Sequence, residues 1–67
     1  MKEKDFIASM KMRNFVEDLN GWTRKFTFIH FKDGQIFIGH RIRGIKTKMT
    51  AIEFEHIDEW IKYFDRI

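Results

Sequence analysis

The chain has 67 residues, with a net charge of +3, no cysteine and eight phenylalanines. A chain of this length, residues 1–67, forms one domain that buries only about 60% of the surface its unfolded form exposes, so its aromatic residues must supply much of the core. The cysteine count excludes a disulfide framework and a cysteine-ligated zinc site.

The sequence predicts a cytoplasmic protein that makes no contact with a membrane. No apolar run in it approaches the roughly 20 residues that a membrane span requires. The N-terminal stretch "MKEKDFIASMK" lacks the apolar core and cleavage site of a signal peptide.

Positive charge is concentrated in the middle of the chain. Residues 22–48 contain seven Lys and Arg residues against Asp33 alone, a net charge of +6, whereas residues 49–67 sum to −3 and residues 1–21 to zero. This asymmetry indicates either an anionic partner or attraction between the basic central segment and the acidic C-terminal segment.

The first segment, from Glu3 to Asn20, predicts a helix that ends at Asn20-Gly21. Its apolar residues recur at three- and four-residue steps: Ala8, Met12, Phe15, Val16 and Leu19.

Residues 24–43 predict an antiparallel β-hairpin around Asp33-Gly34, because a two-residue type I′ turn needs positive φ at both positions. That turn sets the register. One face, predicted to be the core, receives Phe31–Ile36, Ile29–Ile38, Thr27–His40 and Lys25–Ile42. The second face receives His30–Phe37, Phe28–Gly39, Phe26–Arg41 and Arg24–Arg43.

The last segment predicts an amphipathic helix that starts with a capping box, Thr50-x-x-Glu53. Its apolar face consists of Phe54, Ile57, Trp60, Ile61 and Phe64. In the alternative, Thr50, Ile52 and Phe54 alternate in a third strand, and a shorter helix begins at about Ile57. The expected fold class is therefore α+β: helix, hairpin with or without a third strand, helix.

The second hairpin face is the candidate binding site, because it combines aromatic rings, which stack on bases, with guanidinium groups, which bind phosphate. We predict that it binds nucleic acid, either RNA or DNA. The candidate residues on it and next to it are Arg24, Phe26, Phe28, His30, Lys32, Phe37, Arg41, Arg43, Lys46 and Lys48.

Three other interpretations of this face remain open. An inhibitor or adaptor, of the kind that mobile elements encode, would dock it on an acidic protein surface. A homodimer would bury Phe26, Phe28 and Phe37 against a second copy. A purely structural face would be covered by one of the two helices, with the Phe28 ring lying across Gly39.

The sequence predicts no catalytic residue, no metal site and no cofactor. It has no Cys-His pair, and Ser9 is the only serine. His30 and His40 point to opposite faces of the predicted hairpin, so they cannot share a metal ion unless a bulge at Gly39 reverses one of them. The acidic residues of the last segment form the solvated side of its helix. We therefore expect a non-enzymatic protein.

One stretch resembles a known family. "FIHFKDGQIFIG", residues 28–39, is similar to the first motif of Sm-like RNA-binding proteins, in which a strand, a Lys-Asp-Gly turn and a second strand ending in glycine follow a helix. The chain departs from that pattern after Gly39. The next apolar strand residue, Ile42, comes one position later than in the motif, and "IKTKMT" lacks the acidic or Asn residue that the loop of the motif contains. The resemblance implies an alternative fold, a small bent Sm/SH3-like barrel with an N-terminal helix, and transfers no functional residue.

Overall fold

A computed structural model of the chain describes residues 1–18, 20–43 and 45–66, and the backbone but not the side chain of Lys46. It confirms the α+β class. The elements in chain order are α1 (Glu3–Met12), β1 (Val16–Asp18), β2 (Gly21–Arg24), β3 (Thr27–Lys32), β4 (Gln35–Ile42), β5 (Ile45–Lys46), β6 (Thr50–Ile52), a 3-10 turn (Phe54–His56) and α2 (Ile57–Phe64).

Helix α1 is shorter than the predicted helix over residues 3–20, which is wrong beyond Met12. The chain leaves the helix at Asn14, whose φ of 65° is left-handed. Asn14 N–H donates to Lys11 O and Phe15 N–H donates to Met10 O, both at 3.0 Å. This is the Schellman arrangement, for which asparagine is a suitable residue. The segment that follows forms strands β1 and β2, which were not predicted.

The predicted register of the central hairpin is confirmed from Thr27–His40 to Lys32–Gln35. Asp33 and Gly34 have φ values of 52° and 78°, as a type I′ turn requires. The hydrogen bond from Arg41 N–H to Phe26 O continues this register by one position. Beyond Phe26 the predicted register is wrong, because Arg24 pairs with Thr27 in a β2–β3 hairpin and not with Arg43. The predicted pair of Lys25 with Ile42 is lost for the same reason.

The alternative interpretation of the last segment is the correct one. Strand β6 pairs with β4, with Ile52 opposite Ile36, and α2 begins at Ile57. The capping box at Thr50 is wrong. Burying an isoleucine contributes about 1.5–3 kcal/mol, and Ile52 is buried to 4% exposure. A cap typically contributes about 1 kcal/mol, so burial in a strand outweighs it.

The sheet is antiparallel and open. Its strand order is β1-β2-β3-β4-β5, and β6 also pairs with β4. Among the described residues β1 pairs with β2 alone, so the sheet does not close and the barrel alternative is wrong.

Residues 47–49 connect β5 to β6 along the edge of β4. Thr47 N–H donates to His40 O at 2.8 Å, and Thr47 Oγ1 accepts from His40 N–H at 2.9 Å. A Cβ atom at Gly39 would lie 2.6 Å from Met49 Sδ and 3.3 Å from Lys48 O. Gly39 therefore permits this segment to approach β4 closely.

Both helices contribute to one core against the face that the sequence predicted, which leaves no helix for the other face. This corrects the interpretation in which each helix covers one side. The core cluster consists of Phe6, Met10, Phe15, Trp22, Ile29, Ile36, Ile38, Ile52, Ile57, Ile61 and Phe64. Neither described helix has the length and apolar character needed to cross a membrane.

Polar contacts fix the C-terminal end of α2 to the sheet. The carboxylate of Asp65 accepts hydrogen bonds from Thr27 Oγ1 at 2.6 Å and from the Arg24 guanidinium at 2.8 Å. His40 Nε2 donates to Phe64 O at 3.0 Å, and the two rings lie 4.6 Å apart. Burial acts to raise the pKa of Asp65, but the hydrogen bonds from Thr27 and Arg24 outweigh it and lower the pKa.

Candidate nucleic-acid interface

Phe28, in the middle of the second hairpin face, is covered within the fold. It is 1% exposed, and a Cβ atom on Gly21 would lie 2.2 Å from its Cζ atom. The ring therefore occupies the space that glycine leaves on strand β2. This corrects the expectation that Phe28 presents its ring to a partner, and it removes one of the three residues of the predicted homodimer contact.

Arg41, on the same face, is part of an ion pair. Its guanidinium donates to the carboxylate of Asp18, which lies on β1 at the far edge of the sheet. Strands β2 and β3 lie between them. Because neighbouring strands are about 4.8 Å apart, the pair spans roughly 14 Å of sheet and requires curvature toward this face. Arg41 thus acts within the fold, and its side chain is 18% exposed.

Arg24 lies on the opposite face, contrary to the prediction. Its guanidinium donates to Asp65 at 2.8 Å and to Arg13 O at 2.7 Å. The same group stands 4.8 Å from the centre of the Phe15 ring. These contacts join the β2–β3 hairpin to α2 and to the end of α1, so Arg24 belongs to the core side of the sheet.

His30, Phe37 and Lys32 occupy the part of the second face that leads to the Asp33-Gly34 turn. His30 Nδ1 donates to Asn20 O at 2.8 Å, and its ring centre is 6.3 Å from that of Phe37. Both rings are half-buried and Lys32 is exposed. His30 and His40 lie on opposite faces, as predicted. Within the described ranges, no group of three or more His, Asp or Glu side chains is placed to bind a metal ion.

Two of the exposed candidates, Phe26 and Arg43, lie in hairpin turns at the same end of the sheet. The β2–β3 turn contains Lys25 and Phe26, and the β4–β5 turn contains Arg43. Because successive strands are antiparallel, the β2–β3 and β4–β5 turns lie at the same end of the sheet. A hydrogen bond from Arg41 N–H to Phe26 O, at 2.7 Å, links the two hairpins there. We call this end the basic tip and define it as Lys25, Phe26, Ile42, Arg43 and Ile45.

The backbone of the basic tip is strained at two positions. Five residues other than glycine have positive φ: Asn14, Asn20, Lys25, Asp33 and Arg43. Asparagine and aspartate adopt this conformation readily, whereas other side chains do so at a cost of about 1–2 kcal/mol. The two exceptions, Lys25 and Arg43, both at 54°, are basic, exposed and at the same end of the sheet. Strain of this kind is concentrated at functional sites.

Acidic residues are rare in the part of the sequence that contains the basic tip, although Lys25 is close enough to the Asp65 carboxylate to help lower its pKa. Between residues 19 and 52 the only acidic residue is Asp33, which occupies the turn at the opposite end of the sheet. Asp18 and Asp65 are each paired with an arginine. No ion pair joins Lys25 or Arg43 to another residue in the parts of the chain that the structure describes.

Two other basic candidates come next in the chain. Lys48 is exposed in the segment that passes Gly39. Lys46 is paired with Arg41 through the backbone, and the prediction for its side chain falls outside the described atoms.

Lys25 was missed as a candidate because the predicted register placed it in a strand on the core face. The tetrapeptide Arg24-Lys25-Phe26-Thr27 lacks the Gly or Asn that normally identifies a two-residue turn. The alternation gave no signal either, because Trp22 and Phe26 are four positions apart and fit one face of an unbroken strand.

Comparisons of the chain with protein-family models, with curated proteins and with solved structures found no match. The geometry described above is therefore what supports the functional proposal.

Proposed function

We propose that this protein is a small non-enzymatic binding protein that binds nucleic acid, RNA or DNA, at the basic tip. The supporting observation is that Lys25 and Arg43 occupy left-handed positions at adjacent turns. Asparagine or glycine would form the same turns with less strain. What the two residues add to the turns is positive charge that is exposed to solvent.

Phosphate is the anion that these side chains suit best. Arg43 offers a planar fork of donors and Lys25 a compact charge. Lys48, exposed in the segment that passes Gly39, would extend the contact along the edge of β4. A cysteine-free composition is compatible with a cytoplasmic location for this activity.

Salt dependence tests the proposal. The affinity for a labelled mixed-sequence oligonucleotide, measured by fluorescence anisotropy, should fall with salt by a slope of about −0.7 to −0.9 per phosphate contact. Lys25→Asn and Arg43→Asn should each reduce that slope by about one contact. Lys4→Gln is the matched control, because Lys4 is an exposed lysine in the first turn of α1, and it should leave the slope unchanged.

The competing partners give different results in the same experiment. Undetectable binding at low salt by a folded wild-type protein would reject the proposal. If the protein is instead an adaptor or inhibitor that docks on acidic proteins, we expect no oligonucleotide binding and a monomeric mass in light scattering. If the protein is a homodimer joined through this face, we expect no oligonucleotide binding and a dimeric mass, which Phe26→Ser should reduce.

A further inference from the structure

We infer that the basic tip binds single-stranded rather than duplex nucleic acid, with one base stacked on Phe26. This inference rests on the proposed function and names the class of ligand.

The Phe26 ring is presented to solvent. It is 47% exposed, whereas Phe6, Phe15, Phe28 and Phe64 are at most 8% exposed. The turn that carries it is fixed, because Phe26 O accepts the 2.7 Å hydrogen bond from Arg41 N–H and Thr27 continues into strand β3. A ring on a rigid turn loses little conformational entropy when a planar ligand stacks on it.

Two further apolar side chains of the basic tip are exposed. Ile42 and Ile45 are directly paired across the β4–β5 hairpin, and they are 38% and 71% exposed. The basic tip therefore combines exposed apolar side chains with the cations Lys25 and Arg43. A ligand that satisfies both parts needs flat apolar faces and negative charges at close spacing.

A single strand provides both, since its unpaired bases expose their faces and each nucleotide carries a phosphate. In a duplex the base faces are stacked on one another, so phosphates alone would reach the basic tip and Phe26 would stay exposed.

The helices do not offer an alternative duplex-binding surface. A helix that enters the major groove needs a basic face, because phosphates line both sides of the groove. Helix α1 contains two acidic and two basic residues, and α2 contains two acidic residues and one basic. Both helices also contribute buried residues to the core.

The test compares one labelled sequence as a single strand and annealed to its complement, by anisotropy with the full chain. We expect tighter binding of the single strand. Phe26→Leu should weaken it by about 5- to 150-fold, the equivalent of 1–3 kcal/mol per stacked base, without changing the salt slope or the duplex affinity. Phe26→Trp should preserve binding, because the indole ring also stacks.

Phe54→Leu is the matched control, since Phe54 is 40% exposed but lies in the 3-10 turn before α2, outside the basic tip. It should bind like the wild type, and circular dichroism should show that each variant is folded. Equal binding of duplex and single strand, unaffected by Phe26→Leu but reduced by Lys25→Asn, would overturn this inference and leave the proposed function intact. Binding of neither form would overturn both.

Discussion

Lys25 and Arg43 hold backbone conformations that asparagine adopts at lower free energy, so function and stability should oppose each other at these two residues. We predict that Lys25→Asn and Arg43→Asn each raise the free energy of unfolding by up to about 1 kcal/mol while they weaken oligonucleotide binding. Urea denaturation and anisotropy on the same samples measure the two effects.

Lys32→Asn provides the comparison, because Lys32 is exposed at the end of β3 and has no positive φ. It should not be stabilising, since asparagine is disfavoured in strands. A loss of stability on Lys25→Asn would instead mean that the lysine side chain contributes to the fold.

Gly34 is a third residue at which the backbone conformation determines how a substitution changes stability. Its φ is 78°, and a Cβ atom there would meet nothing within 4 Å, so a substitution changes backbone strain alone. Gly34→Val should lower the free energy of unfolding by more than about 1 kcal/mol, because β-branched residues rarely adopt positive φ. Gly34→Asn should be tolerated. A measured loss of only a few tenths for the valine variant would contradict the type I′ turn.

Among the elements, helix α2 provides a large part of the core. Ile61 and Phe64 are 4% and 8% exposed. Truncating either to alanine should cost about 2–5 kcal/mol, a large share of the roughly 5–15 kcal/mol that stabilises a domain. Urea denaturation monitored by tryptophan fluorescence would measure this loss of stability. Glu55→Ala, at an exposed position before α2, should change stability by no more than about 0.5 kcal/mol; the reverse order of sensitivity would make the acidic side of this segment structural.

The attachment of α2 to the sheet should depend on pH through Asp65. Hydrogen bonds from Thr27 and Arg24 outweigh burial and lower its pKa in the folded state. Its contribution to stability is therefore complete above the unfolded aspartate value of about 3.9 and is lost as pH falls through the lower folded value.

Asp65→Asn should reduce the loss of stability between about pH 5 and pH 2, as measured by thermal melting at a series of pH values. Asp5→Asn, at an exposed site in α1, should retain that loss. An unchanged acid profile for Asp65→Asn would assign the acid sensitivity to other groups.

Across the whole molecule, the sequence predicted those parts in which a local signal and burial agree. Asp33-Gly34 determined the central turn, and the two-residue period then placed Ile29, Ile36 and Ile38 on the core face. The strand that contains Ile52 was visible as an alternative because alternation and a possible cap compete in the same residues.

The parts that the sequence did not predict depend on single backbone positions. Phe15 fits the period of a helix, but in the structure it reaches the core after the chain has reversed at Asn14. The Lys25-Phe26 turn was missed because it lacks glycine and asparagine, and this departure is also what supports the proposed function. Phe28 was assigned to the surface because nothing in its own strand indicates that Gly21 leaves room for its ring.

The strand order has a consequence for folding kinetics. Strands β1 to β5 each pair with the next strand along the chain, so the sheet can form through short loop closures, which favour fast folding. The contacts that fix α2 join residues far apart in sequence: Arg13 to Asp58 and Arg24 to Asp65, separated by 45 and 41 positions. Helix α2 should therefore dock last and detach first, and its amide protons should exchange with solvent faster than those of β3 and β4.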